Sequence, residues 1–210
     1  MSNFIKFVNK FLIVFFLILI FIFISAKSYS NIMFENISNN FLRLHIVANT
    51  VSTEDQILKY NIRDAVLEYI NPLFENIKDK ESALNILTCH INEIQIIASN
   101  IAVSSGFNYP ITVSVGNFYF PTKNYSKITL PEGHYDALKI ELGKADGQNW
   151  WCVMFPSLCL LDTNHLSFSK SADKVLNENL SSEEYSVISN VDSSKDIKIK
   201  FKLIELFENI

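Results

Sequence analysis

Apolar positions along the chain fall into three patterns. The first is an unbroken run, Phe11 to Ile24 (FLIVFFLILIFIFI), with Lys6 and Lys10 ahead of it. Positive charge followed by such a run is the form read by the secretion machinery. As a helix, fourteen residues reach about 21 Å, short of the roughly 30 Å of a bilayer core. Adding Phe7–Val8 and Ser25–Ala26 stretches the run to a marginal span, and the small residues of Ala26-Lys27-Ser28 form an imperfect cleavage site. Residues 1–28 are therefore expected to be a signal peptide or an N-terminal membrane anchor. A stalk (29–40) and an extracytoplasmic domain (41–210) follow, because the two lysines hold the amino end inside.

The second pattern is alternation. Leu42, Leu44 and Ile46 share one face of Phe41–Val47, with Arg43 and His45 on the other, as in a half-buried strand. Ile111, Val113 and Val115 alternate in the same way. The apolar phase then slips to Phe118 and Phe120, so a β-bulge or kink is expected at Gly116-Asn117. Tyr135–Leu142 predicts a third strand and Trp150–Phe155 a fourth, its hairpin partner across the turn Gly143–Gln148. The third pattern is helical. Leu58, Ile62, Ala65, Val66 and Tyr69 predict a helix that opens at Ser52, with Asp55 as capping-box partner, and closes at Pro72. Leu84, Leu87, Ile91, Ile94, Ala98 and Ile101 predict a second helix from about Lys80 to Ser104. Ser181 and Glu184 form a further capping-box pair beyond a polar, Ser-rich stretch, and Ile197–Leu203 alternates again. Together these predict a single α+β domain, a mainly antiparallel sheet with two long helices packed on one face.

Composition narrows the function more than the fold. In 210 residues, 49% are hydrophobic and 19% charged, enough to bury a core and too apolar for a disordered chain. The net charge is −4, and no basic stripe of the kind nucleic acid requires stands out. Three cysteines, Cys89, Cys152 and Cys159, are too few for a disulfide scaffold. Outside the cytoplasm Cys152 and Cys159 could close a short loop around Pro156, or remain two buried thiols; any disulfide should join these two and leave Cys89 free. No metal site is expected, since Cys89 and His90 are adjacent and cannot face one ion from a helix. Asp64 and Glu68 lie at i, i+4 and read as a solvated helix face. Phosphate-binding glycine loops are absent, and no cofactor is expected.

Three ordered blocks carry a resemblance. LRLHIVANTVSTEDQILKYNIRDAVLEYI, YPITVSVGNFYFPTKNY and LPEGHYDALKIELGKADGQNWWCVMFPSLCLLD resemble the stage II sporulation protein R family, and the weaker LSSEEYSVI and KFKLIELF fit its carboxy-terminal part. The similarity spans about Phe41 to Leu206. Ser157 and Thr50-Val51 depart from the family's pattern. The resemblance implies an intercompartmental signalling protein of endospore formation and no enzyme. Such a protein is secreted from the forespore into the intermembrane space, or anchored in the forespore membrane facing it. There it activates a membrane-embedded aspartic-type peptidase that processes the sigma-E factor precursor. A ligand of this kind needs an aromatic anchor ringed by polar groups. The candidate contact residues are Trp150 or Trp151, Arg43 and His45 on the outward face of the first strand, and Asn149. The rival from another class is a cysteine-dependent envelope hydrolase, which requires a Cys and a His within hydrogen-bond reach.

Overall fold

The computed structural model describes residues 2–125, 128–156 and 176–189. The chain divides into two compact units, with the boundary between Asn36 and Ile37. The first contains nearly all of α1 (Ser2–Ser38), a single helix of 37 residues, about 55 Å long. The apolar run is only its middle, and the expected stalk continues it as helix to Ser38. Residues Phe4–Ser38 are long and apolar enough to cross a membrane, and large side chains such as Phe11, Phe16 and Phe21 stand exposed along them. The apolar stretch Phe11–Ile24, exposed at every position, has lipid or the export channel as its natural surroundings.

The second unit is the α+β domain. Its strands are β1 (Leu42–Val47), β2 (Ile111–Phe120), β3 (Lys123–Tyr125), β4 (Ile128–Leu130), β5 (Gly133–Leu142) and β6 (Asn149–Phe155). Its helices are α2 (Thr53–Phe74), α3 (Lys80–Cys89), α4 (Ile91–Ser104) and α5 (Ser182–Ile188). Four strands form one mixed, mostly antiparallel sheet in the order β2-β5-β1-β6, and β3 pairs with β4 apart from it. Leu42, Leu44 and Ile46 of β1 join Leu138, Ile140 and Leu142 of β5 in one buried cluster. Leu58, Ile62, Val66 and Ile70 of α2, Leu87 of α3, and Ile94 and Ala98 of α4 close over it. The alternation seen in β1 and β5 thus does point one apolar face at the helix layer.

The structure corrects five of the sequence expectations. First, β5 and β6 are not hairpin partners: β1 lies between them, parallel to β5 and antiparallel to β6. The connection 143–148 is long enough to cross the end of β1 and is stitched to it there. Gly147 N–H donates to Ala48 O at 2.9 Å, Asp146 N–H to Asn49 O at 3.2 Å, and Lys144 N–H to Asn49 Oδ1 at 2.9 Å. A Cβ on Gly147 would sit 2.2 Å from Thr50 O, so only glycine allows this approach. Second, a central strand has no outward face, and β1 is buried along its whole length, Arg43 and His45 included.

Third, the second long helix is two, α3 and α4, bent by 62°. His90 at the joint keeps helix-like bonds from its N–H to Ile86 O and Leu87 O. Its Nδ1 meets Tyr69 Oη of α2 at 2.7 Å. The apolar periodicity therefore runs through the bend without a break. Fourth, Pro72 lies inside α2, which continues to Phe74; a proline in the last turn removes one hydrogen bond, and the buried Phe74 anchors the end.

Fifth, β2 has no bulge. Its register with β5 runs unbroken from Ile111↔Leu142 to Phe120↔Gly133. The apolar phase slips because the strand changes which of its faces it buries. Ile111, Val113 and Val115 pack on the helix-side cluster, whereas Phe120 is fully buried on the opposite face, against Tyr135 and Trp151.

The short strands β3 and β4 were not foreseen. The expected capping box of Ser181 and Glu184 is formed at α5. The alternating segment 197–203 lies outside the described residues.

Candidate partner interface

The five residues picked from sequence divide between the two faces of the sheet. Arg43, His45, Asn149 and Trp151 share the face turned away from the helices, because β1 and β6 pair Arg43 with Val153, His45 with Trp151 and Val47 with Asn149. Trp150, opposite Ile46, lies on the helix side.

On the far face the His45 ring stacks on Trp151, with centroids 3.7 Å apart and planes 13° from parallel. His45 Nε2 lies 2.7 Å from Asn149 Oδ1, a contact in which the ring N–H donates to the amide oxygen. Burial pulls the His45 pKa below its ordinary value, against the Asn149 hydrogen bond and with help from Lys139; the imidazole is neutral at neutral pH. Phe120 packs edge-on against both rings. Beyond it, the guanidinium of Arg43 stands 4.1 Å over the Phe120 ring and 4.8 Å over Tyr135.

Arg43 Nη2 donates to Tyr125 Oη of β3. Its Nε and Nη1 are buried without a hydrogen-bond partner among the described residues. Burial lowers the Arg43 pKa, partly offset by Tyr125 and Tyr135, but a guanidinium stays charged in any protein. This cation is held by aromatic faces where a carboxylate would be expected.

Trp150 belongs to a different cluster. Tyr60 of α2 meets it edge-to-face at 5.6 Å, and the Arg63 guanidinium lies 4.5 Å over its ring. Arg63 also pairs with the exposed Asp64 at 2.5 Å. Lys59, one turn earlier and almost fully buried, donates to Gln56 Oε1 at 2.6 Å and to Gln148 O at 3.2 Å. Tyr60 is 37% exposed, Ile57 54% and Val51 69%. Ile57 and Tyr60, at i and i+3, share the solvent face of α2. An aromatic pair, an apolar surface and two cations therefore meet at the β6 margin of the helix layer.

Of the polar residues that fix this margin, Ser52 and Asp55 were expected to form a capping box, and only half of it is formed. Ser52 caps α2, accepting from Asp55 N–H at 3.2 Å, but Asp55 does not return the bond. Its carboxylate accepts instead from Thr50 Oγ1 at 2.5 Å, Asn49 Nδ2 at 3.2 Å and Tyr109 Oη at 2.6 Å. Burial works to raise the Asp55 pKa, but these hydrogen bonds outweigh it and hold the pKa below the usual carboxylate range. Burial first, and then the bond to Asp55, push the Tyr109 phenol up. Lys59 and Arg63 were legible only as an i, i+4 basic pair flanking the apolar stripe, the arrangement by which long cationic side chains cover apolar surface.

Thiol chemistry finds little support here. Cys89 is exposed and free. Cys152 is disulfide-bonded and faces the helix-side cluster, away from His45; Cys159 lies outside the described residues. Among the described residues no group of three His, Cys, Asp or Glu side chains could hold a metal ion.

Residues 38–165, from the end of α1 through β6, match the model of the family described as stage II sporulation protein R. This chain belongs to that family. The chain is also 34% identical over 185 residues, 83% of each chain, to Stage II sporulation protein R of Bacillus subtilis (strain 168). No solved structure matches it. Membership of the stage II sporulation protein R family assigns the chain a role in sporulation. With it goes an N-terminal apolar helix of the signal-peptide or membrane-anchor kind.

Proposed function

We propose that this chain is an exported signalling protein of endospore formation that acts by binding. Its target is a membrane-embedded aspartic-type peptidase, and the output is processing of the sigma-E factor precursor. It works in the space between the two forespore membranes, either released there or held by α1. The observation that carries this reading is the family match across the whole sheet and helix layer. A ligand activates its receptor by binding the active state more tightly than the inactive one. The surface best suited to that is the β6 margin: Trp150 and Tyr60 as anchor, Ile57 beside them, Asn149 as rim, and the buried Arg63 backing the Trp150 ring. Arg43 and His45 then support the margin from within, through Phe120 and Trp151.

The rival, a cysteine-dependent envelope hydrolase, needs a free thiol beside an imidazole; the disulfide at Cys152 and the Tyr69 bond on His90 both speak against it. The test is precursor cleavage in a host that makes only this chain, the peptidase and the precursor. Replacing Cys89, Cys152 and Cys159 together by Ser should leave cleavage within about threefold of wild type at matched folded levels. Tyr60→Ala should lower cleavage at least tenfold, as loss of a hot-spot aromatic worth about 2 kcal/mol requires. Cleavage lost in the folded triple-Ser protein would overturn the binding reading.

A further inference from the structure

We infer that the free edge of β2 pairs with the same edge of a second copy of this chain, making an antiparallel two-fold dimer centred on Asn117. Among the described residues β2 is an edge strand of the sheet, bonded to β5 along one side only. Backbone groups of its odd-numbered residues point away from β5. That is fixed by Gln95 of α4, whose side chain donates to Ile111 O at 2.7 Å and accepts from Val113 N–H at 3.0 Å. Gln95 thus occupies the start of the edge as a short strand would. The next outward groups, on Val115, Asn117 and Tyr119, have no hydrogen-bond partner among the described residues. Further on, Pro121 has no N–H to offer.

The two ends of the open window select the occupant. In an antiparallel pair centred on residue 117, position 113 faces position 121 of the other copy. The blocked Val113 therefore meets the donor-less Pro121, and the window closes on itself at both ends. Within it Asn117 faces Asn117, Val115 faces Tyr119, and Gly116 faces Phe118. A β-branched residue opposite an aromatic is a favourable cross-strand pair, while Gly116 is already covered by the Phe118 ring of its own strand. Odd-numbered positions would exchange about six hydrogen bonds.

Charge agrees. Ile111 to Pro121 contains no charged residue, so two copies meet without like-charge repulsion. Natural edges left open usually carry a lysine, a proline or a bulge against such pairing. This one has none between Val115 and Tyr119. Tyr119 is 53% exposed and held in place by its bond to Glu132 at 3.0 Å. A pairing of five residues falls below the roughly 1,200 Å² of a standard interface, so the dimer is weak and concentration-dependent. The result is a continuous eight-stranded sheet, formed independently of the β6 margin.

The experiment uses the full-length chain in membranes, with Cys89→Ser to remove the free thiol. Asn117→Cys brings two thiols to paired positions with Cα atoms about 5.5 Å apart, inside the disulfide range of roughly 4.4–6.8 Å. Mild oxidation should convert most of it to a dimer on a non-reducing gel. Tyr119→Cys, whose two copies would be roughly 13–14 Å apart along the strand, should stay monomeric. Asn117→Pro deletes an outward N–H without touching the β5 ladder, and should at least halve the dimer fraction of the detergent-solubilised protein in sedimentation. Equal cross-linking at 117 and 119, or a wild-type chain that stays monomeric at high micromolar concentration, would overturn the dimer. The second result would leave the edge to a strand of another protein.

Discussion

The two faces of β1 are built on opposite principles. Leu42, Leu44 and Ile46 enter an aliphatic cluster that three helices close. Arg43 and His45, from the same six residues, are just as buried, yet they are held by rings: Phe120, Tyr135 and Tyr125 around the guanidinium, Trp151 against the imidazole. An aliphatic face gains by area alone and tolerates no loss of volume. The aromatic face gains by area too, but spends part of it on a cation with two nitrogens unpartnered among the described residues and on a histidine kept neutral. The first face is suited to stability. The second fixes where Trp151 and Asn149 stand, at the margin proposed to meet the partner.

The largest expected effect separates the faces directly. Leu44→Ala should cost about 2–5 kcal/mol, the range for an aliphatic side chain deleted from a closed core. Arg43→Met keeps the volume and removes a buried charge, so it should change stability by less than about 1 kcal/mol. Guanidinium denaturation of the full chain in micelles measures both. An Arg43→Met cost near that of Leu44→Ala would mean that the guanidinium has a strong partner after all, and the contrast between the faces would fail.

A middle effect concerns the junction that keeps β1 between β5 and β6. Asp55→Asn should cost roughly 1.5–3 kcal/mol, as for hydrogen bonds to a charged acceptor. The Asp55 pKa is lower in the folded chain than in the unfolded one. Its contribution is therefore full above the unfolded value of about 3.9, and lost as pH falls through the folded value. The gap between wild type and Asp55→Asn, followed by denaturation at several pH values, should close only below about pH 4.

The smallest effect belongs to His45. Its pKa is also depressed, but for a base this means that the unfolded chain takes up the proton first. Stability should fall as pH drops below about 6.5 towards the lower folded value, and be flat above it. His45→Gln should remove this slope and leave the acid loss due to Asp55. A proton titration of the His45 ring that showed a raised pKa would reverse the sign and rule out the neutral, Trp-stacked imidazole.

How much of this was legible depended on distance along the chain. The Ser52 and Ser181 caps, the helix stripes, the strand centres and the exposed apolar leader all rest on neighbours within a few residues, and the sequence shows them. The bend at His90 was hidden because its N–H keeps helical partners while the side chain turns to Tyr69, far away in sequence. Of the site residues, Trp150 and Trp151 were visible as opposite-facing neighbours on a strand. Their partners were not: Tyr60 and Arg63 lie on α2, and His45 reaches Trp151 only because β6 pairs with β1.

What the chain's own order of residues determined, then, is which segments are strands or helices, which residues share a face, and that the whole follows an apolar leader. Tertiary structure alone decided that β1 is central, and everything else about the site follows from that. Alternation in a strand tells two faces apart but is silent on what covers the second one. Here the loop 143–148 crosses over Ala48 and Asn49, close enough that Gly147 has no room for a side chain. That crossing puts β6 and Trp151 beside β1, while the pairing of β1 with β5 and of β5 with β2 brings Tyr135 and Phe120 over the polar face. Burial of a residue depends on strands that join it from many positions away, and no local pattern carries that information.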